Sequence, residues 1–289
     1  MLKNIAKGIG NPIRTFSAST TPNIQAIKSQ FKGYEKYGST RLEIHGELAK
    51  IIFDHPEKKN AMTSNMMVEL HDALLQLENI VSQTPNTLRS LLVTSKGDFF
   101  CAGGDKRFVQ HIFSPENGMM MASFMNETAN RINELPLISA TFVQGGALGG
   151  GAELCLWTDF LLLHRTTGRI GFVQSKMGLL PGWGSGHKLV RQIGPRYASR
   201  LLLLGEILNA EKALQIDLAS DLVESEEEAV DWLKEKSAHL SPHIIKQIKK
   251  LVHCSNLENA MDVEKELFGS VWSGPAHLAA VEKNIKHRK

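Results

Sequence analysis

Apolar residues change their spacing along this chain, and each change marks an element. "LEIHGELAKIIFDHP" (42–56) is rich in branched apolar residues and stops at Pro56, which predicts two strands in a hairpin-like pair. Next, Met66, Leu70, Ala73, Leu74, Leu77 and Val81 recur at helical spacing behind Thr63 and Ser64, either of which can cap the helix start. "LRSLLVT" (88–94) predicts a strand stopped by "SKG", and "GMMMASFMNETANRINEL" a helix that ends before Pro136. "LISATFV" (137–143) is the next strand and runs straight into "QGGALGGGAEL" (144–154). "FLLLHR" and "RIGFV" predict strands flanking the turn "TTG", and from Pro181 onward the pattern is mainly helical. Strands alternating with helices, followed by a helical tail, define an α/β core with a helical C-terminal part.

Composition narrows the function classes. Of 289 residues, 22% are charged and 42% hydrophobic, ordinary values for a globular enzyme. The longest apolar runs, such as "LLLL" at 201–204, are too short to span a bilayer, so no membrane partner is expected. Net charge is +3 with no basic stripe interleaved with aromatics, which argues against nucleic acid and suits an anionic small molecule. Cys101, Cys155 and Cys254 are widely separated, with no CxxC pair and no Cys/His cluster, so neither a disulfide framework nor a metal site is expected. The first 38 residues stand apart. They carry Lys3, Lys7, Arg14, Lys28 and Lys32 with no acid before Glu35, the composition of a mitochondrial transit peptide or a disordered basic tail. Three regions follow: the basic segment 1–38, a core domain 39–224, and a helical region 225–289.

Five of the eleven residues in "QGGALGGGAEL" are glycine, and Gly149, Gly150 and Gly151 stand in a row before Glu153. A strand, glycines and then a short helix form an architecture suited to negative charge, because the first N–H groups of a helix lack internal partners and glycine admits close approach. Sharper motifs fail: GxGxxG, GxxxxGK[ST], GxSxG and HExxH are all absent here. A second glycine loop, "DFFCAGGD" (98–105), follows the strand at 88–94. Two such loops can aim two N–H donors at one oxygen, making an oxyanion hole, or can simply be two tight turns.

At these two loops the chain resembles the crotonase superfamily, also called enoyl-CoA hydratase/isomerase, from about residue 39 to the C-terminus. "HPEKKNAMTSNMM" (55–67) resembles that family's CoA-lining segment, and "MGLLPGWG" (177–184) its following glycine turn. The resemblance implies a ββα spiral core, a C-terminal helical trimerisation region, and a homotrimer or dimer of trimers. It implies an acyl-CoA substrate whose thioester carbonyl is held by the N–H groups of Ala102 and Gly150. Lys58, Ala61, Gly103, Asp105, Gly149 and Trp183 become the candidate substrate contacts. It also implies a cytosolic enzyme, with the mitochondrial matrix as the alternative suggested by the basic N-terminus.

Hydration of an enoyl thioester needs two carboxylates around one water. Glu153 fills one position, but the other falls on Gln174, whose amide exchanges no proton near neutral pH. Loss of carbon dioxide from a 2-carboxyacyl thioester makes a different demand. The electrons left behind form an enolate, whose charge two preorganised N–H donors stabilise without biotin, pyridoxal phosphate, thiamine or metal. The sequence thus favours a decarboxylase over a hydratase, with an enoyl-CoA isomerase second and an inactive binder of acyl-CoA or RNA third. Glu153 either routes a proton, if burial raises its pKa, or braces the glycine loop. Gln174 either holds the leaving carboxylate or is a neutral filler. Trp183 is a pocket wall or ordinary core. Asp105 and Asp159 read as caps or anchors, while Lys58 and Lys59 meet CoA phosphates or face water.

Overall fold

The computed structural model describes residues 23–32, 34, 37–85, 87–254 and 257–282. Strand β1 (Ser39–His45) turns at Gly46–Glu47 and pairs antiparallel with β2 (Leu48–Asp54). Helix α2 (Ser64–Gln83) starts as the sequence predicts, with the Thr63 hydroxyl accepting from the Met66 N–H at 3.2 Å. Next come β3 (Ser90–Ser95), α3 (Lys106–His111), α4 (Pro115–Glu134) and β4 (Ile138–Val143). The glycine motif folds as a three-residue strand, β5 (Gly146–Leu148), and a short helix, α5 (Gly150–Cys155). It is followed by β6 (Phe160–His164), β7 (Arg169–Gly171) and a single 3-10 turn over Val173–Met177. Helix α6 (Gly186–Leu204) kinks at Gly194 before Pro195, and β8 (Ile207–Asn209), α7 (Ala210–Gln215) and β9 (Asp221–Val223) follow.

The main sheet runs β1-β2-β3-β4-β6-β9 and is parallel beyond the first hairpin. Both faces are covered, so every residue of β3 and β4 is buried. One face carries the large core built on α2 and α4, including Met66, Leu70, Leu74, Phe124 and Ile132. The other carries α8 (Glu226–Ser237) and α9 (Pro242–Cys254), whose Ala229, Leu233 and Ile245 pack on Leu92, Ala140 and Leu162. Lys249 of α9 reaches through to the Ile132 and Leu137 carbonyls and to Asp159, at 3.0 to 3.2 Å. Asp159 also accepts from the Ser139 N–H and hydroxyl, so it anchors a loop.

The strands predicted around "TTG" form, but they do not share a sheet. β6 stays in the main sheet, whereas β7 joins β5 and β8 in a second, three-stranded one. The last helices, α10 (Ala260–Val271) and α11 (Pro275–Glu282), bury none of their residues against this chain.

Basic composition at residues 1–38 suggests a targeting segment or tail. Residues 1–22 lie outside the described residues, but α1 (Ile24–Phe31) within that segment is part of the core. Phe31 is completely buried and meets Phe108 and Phe124 edge-on, and Lys28 pairs with Asp72. Composition does not reveal α1, because the helix is short and buries only Ile27, Lys28 and Phe31.

Beside α1, His71 is 1% exposed, stacks on Phe124, and has no hydrogen-bond partner at either ring nitrogen. Burial, reinforced by Lys28 and Arg131 and opposed by Asp72 and Glu127, lowers its pKa from 6.5 to about 4. The folded state therefore keeps His71 neutral where the unfolded chain protonates it. Its contribution to stability is complete above pH 6.5 and is lost as pH falls toward 4. Urea unfolding should show roughly 3 kcal/mol more acid destabilisation over that window in the wild type than in His71→Leu. Parallel pH profiles would contradict this.

Candidate active site

Three segments meet at the C-terminal ends of the central strands. The loop 98–105 leaves β3, the glycine motif leaves β4, and the segment 55–63 leaves β2. They are zipped together by backbone. The Phe100 and Cys101 N–H groups donate to the Gly146 carbonyl, and Leu148 N–H returns a bond to the Cys101 carbonyl. On the other side Met62 N–H donates to the Gly103 carbonyl, and Asp105 N–H to the Met62 carbonyl. Two side-chain amides brace this assembly, Asn60 buried and Gln144 half-buried. Asn60 joins the His55 N–H to the Lys96 and Phe99 carbonyls, and Gln144 at the end of β4 donates to the Ser95 carbonyl.

The crowded glycines face protein. A Cβ on Gly151 would lie 2.1 Å from the Cys101 carbonyl oxygen. One on Gly150 would lie 2.4 Å from the Trp183 ring. Only glycine lets the two loops and the indole close on each other.

This packing decides which amides remain open. The Ala102 N–H, expected to be an oxyanion donor, is already committed to the Lys59 carbonyl at 3.0 Å. Lys59 takes a left-handed conformation (φ 53°) that turns its carbonyl toward the loop. At this junction the Gly104 N–H, two positions on, and the Gly150 N–H at the start of α5 have no hydrogen-bond partner. Both glycines are half-buried, and the Trp183 ring lies against both: a Cβ on Gly104 would be 3.7 Å from it. That leaves Gly104 and Gly150 as the candidate donor pair, with Gly104 in the place expected of Ala102. Motif spacing cannot show which N–H a neighbouring carbonyl consumes.

Glu153, on α5 just past the glycines, is 2% exposed and fully engaged. Its Oε1 accepts from Gln174 Nε2 (3.0 Å) and the Gly182 N–H (3.1 Å), and its Oε2 from the Trp183 N–H (2.7 Å). Its backbone carbonyl accepts from the Ser185 hydroxyl at 2.7 Å. Burial pushes the carboxyl's pKa up, and the bonds from Trp183, Gly182 and Gln174 pull against that shift. All three groups on the carboxylate are obligate donors, so the arrangement suits the ionised form. Gln174 is buried on the 3-10 turn; its Nε2 faces Glu153 and its Oε1 has no partner.

Trp183 is both core and wall. It is buried, its carbonyl accepts from Trp157 Nε1 at 2.9 Å, and its ring lies over the open amides. Several other candidates have structural duties. Asp105 caps α3 by accepting from the Phe108 N–H. The Gly103 N–H donates to Cys101 Sγ and the Gly149 N–H to the Gly171 carbonyl. Ala61 is half-buried, with its N–H on the Lys58 carbonyl. Lys58 is exposed on the outer side of that segment, and Lys59 lies over the Phe99 ring at 5.3 Å. Burial pushes the Cys101 thiol up to about 12, so the cysteine in the loop is no nucleophile.

Two unpartnered amides beside a buried acid form an arrangement able to hold an oxygen on which negative charge develops. The chain belongs to the enoyl-CoA hydratase/isomerase family, whose model matches residues 43–281. It is 38% identical over 250 residues to the ethylmalonyl-CoA decarboxylase of Xenopus laevis, covering 83% of this chain and 81% of that one. To the Homo sapiens ethylmalonyl-CoA decarboxylase it is 36% identical over 249 residues, covering 83% and 78%. Among solved structures it resembles the enoyl-CoA hydratase of Thermoplasma volcanium (TM-score 0.76, 27% identity, 86% of this chain and 97% of that one). DspI of Pseudomonas aeruginosa is similarly close (TM-score 0.74, 26% identity, 88% and 98%).

Glu153→Gln would put an amide nitrogen where N–H donors need an oxygen. We expect a loss of about 1–3 kcal/mol in stability. The local signature is faster hydrogen exchange at the Gly182 and Trp183 amides; unchanged protection there would remove Glu153 as the brace of that turn.

Proposed function

We propose that this protein decarboxylates ethylmalonyl-CoA, and methylmalonyl-CoA with it. The carrying observation is the pair of open N–H groups at Gly104 and Gly150 beside an acid that has no second carboxylate to work with. The substrate's thioester oxygen accepts from both amides. The bond between the α-carbon and the carboxylate breaks, carbon dioxide leaves, and the electron pair becomes a thioester enolate held on those donors. The α-carbon then takes a proton from water, leaving hydroxide that the released carbon dioxide consumes as bicarbonate, to give butyryl-CoA or propionyl-CoA. The two donors bind the enolate oxygen more strongly than the neutral carbonyl, which is the source of the acceleration. The relatives named as ethylmalonyl-CoA decarboxylases support the same substrate.

Glu153 serves this reaction by position. Its carboxylate joins α5, which begins at Gly150, to the turn that carries Trp183. Gln174 replaces the second carboxylate that hydration would need and spends its N–H on Glu153. That arrangement supports decarboxylation over water addition.

The active unit in this proposal is a homotrimer or a dimer of trimers. Met261, Phe268, Trp272, Leu278 and Val281 on α10 and α11 are each more than half exposed in the single chain, a surface that self-association would cover. We place the enzyme in the cytosol; a fluorescent fusion concentrated in mitochondria would reverse that assignment.

Purified protein should release carbon dioxide from ethylmalonyl-CoA without added biotin or metal, and should hydrate crotonyl-CoA only weakly. Product masses from the two incubations decide it, and strong hydration with no decarboxylation would overturn the proposal. Deleting the donor with Gly104→Pro should lower the rate by about 10² to 10³ while the circular dichroism spectrum is kept. In Gln174→Glu a second carboxylate would face Glu153. We expect decarboxylation to fall and a trace of hydration to appear, measured in one preparation against wild type. Light scattering at micromolar concentration should give a trimer or hexamer; a monomer would contradict the assembly.

A further inference from the structure

A cavity of about 550 Å³ opens between α6, α9 and the N-terminal ends of β4 and β6. It shares no residue with the site of Gly104, Gly150, Glu153, Gln174 and Trp183. Its inner wall is apolar, formed by Ile138, Leu156, Phe160 and Ile245. Two ammonium groups line it, and they differ in their partners. Lys249 is matched by Asp159 at 3.0 Å. Lys188 touches no carboxylate: its Nζ rests on the Leu156 carbonyl at 3.2 Å and on Asn133 Oδ1 at 3.4 Å.

We propose that this cavity binds a medium-chain carboxylate, with the head group on Lys188 Nζ and the alkyl tail against Ile138, Leu156, Phe160 and Ile245. The volume falls in the range of small-molecule sites, and an apolar wall with one convergent charge is the usual form of such a site. The half-buried Lys188 ammonium touches no carboxylate, and Asp159 acts on it only from a distance, so an incoming carboxylate gains a direct charged hydrogen bond there. The protein's own groups point the same way. Burial lowers the Lys188 pKa from 10.5 to about 8, while Lys249 and Arg191 lower it further and Asp159 raises it. Of the remaining groups at the cavity, His187 on α6 has a pKa lowered by burial, and His253 lies on α9. Lys188 carries its proton below about pH 8, so affinity for the anion is full there and falls as pH rises through that value. This inference is independent of the acyl-CoA reaction.

The test is calorimetric titration of the full-length protein with decanoate, in the absence and presence of saturating CoA. We expect one decanoate per chain, undisturbed by CoA. Binding should weaken about tenfold or more in Lys188→Met. A similar loss should follow between pH 7 and about pH 9.5 as Lys188 deprotonates. Ile248→Trp, at the half-exposed mouth, should block the tail while leaving Lys188 in place. Retained decarboxylase activity and an unchanged melting curve show that each variant is folded. No binding up to millimolar decanoate, as when a second subunit fills the cavity, would overturn the proposal. So would full displacement by CoA, or equal affinity in both variants.

Discussion

The constraint on which the rest of this site depends is the buried carboxylate of Glu153. It gathers a side-chain amide 21 residues downstream and two backbone amides 29 and 30 residues downstream. Take it away and the 182–185 turn keeps only the Ser185 hydroxyl on the Glu153 carbonyl as its polar tie to α5. Trp183 would then be held less firmly over Gly104 and Gly150. The acid is thus a structural tie placed one turn from the chemistry. A carboxylate is suited to that duty because three N–H groups converge where only an acceptor can meet them.

The parallel sheet explains why the loops meet at all. Strands β2, β3 and β4 run side by side in one direction, so the segments leaving them emerge together. Backbone bonds then merge those segments into a single layer, and close contact between chains replaces side-chain bulk. Sequence motifs rich in glycine often suggest an approaching ligand. Here the nearest neighbours of Gly150 and Gly151 are an indole ring and a peptide carbonyl.

Local patterns made the long elements legible. α2, α4 and the strands from β1 to β4 stand within a few residues of where apolar spacing places them, because their periodicities extend over several turns or both sheet faces. Short elements carry no such signal. β5, β8 and β9 have three residues each and owe their existence to pairing partners elsewhere in the chain. Helix α1 is masked by the basic composition around it, although its one lysine, Lys28, is buried and pairs with Asp72. In the site, residue types were readable while bonding was not. Glu153, Gln174 and Trp183 can be singled out through the family resemblance of their segments. The choice between Ala102 and Gly104 turns on where the Lys59 carbonyl points, which is set by a left-handed residue with no sequence signature. Asn60 and Gln144 escaped notice for the same reason: a bracing side-chain amide is recognised by the backbone groups it joins.

The register of the main sheet has a consequence in time. Leu48 pairs with Ser90, and Ser90 with Ile138, so each pairing closes a loop of more than forty residues. Loop-closure entropy must be met before such contacts return any energy, and chains dominated by distant pairings fold slowly. The three segments of the site join only after those strands have aligned. During synthesis, β1 to β3 emerge long before Trp183 and its turn exist to cover the glycines. The apolar faces of the young sheet are exposed for that interval, which makes a nascent chain of this topology a natural client for chaperones.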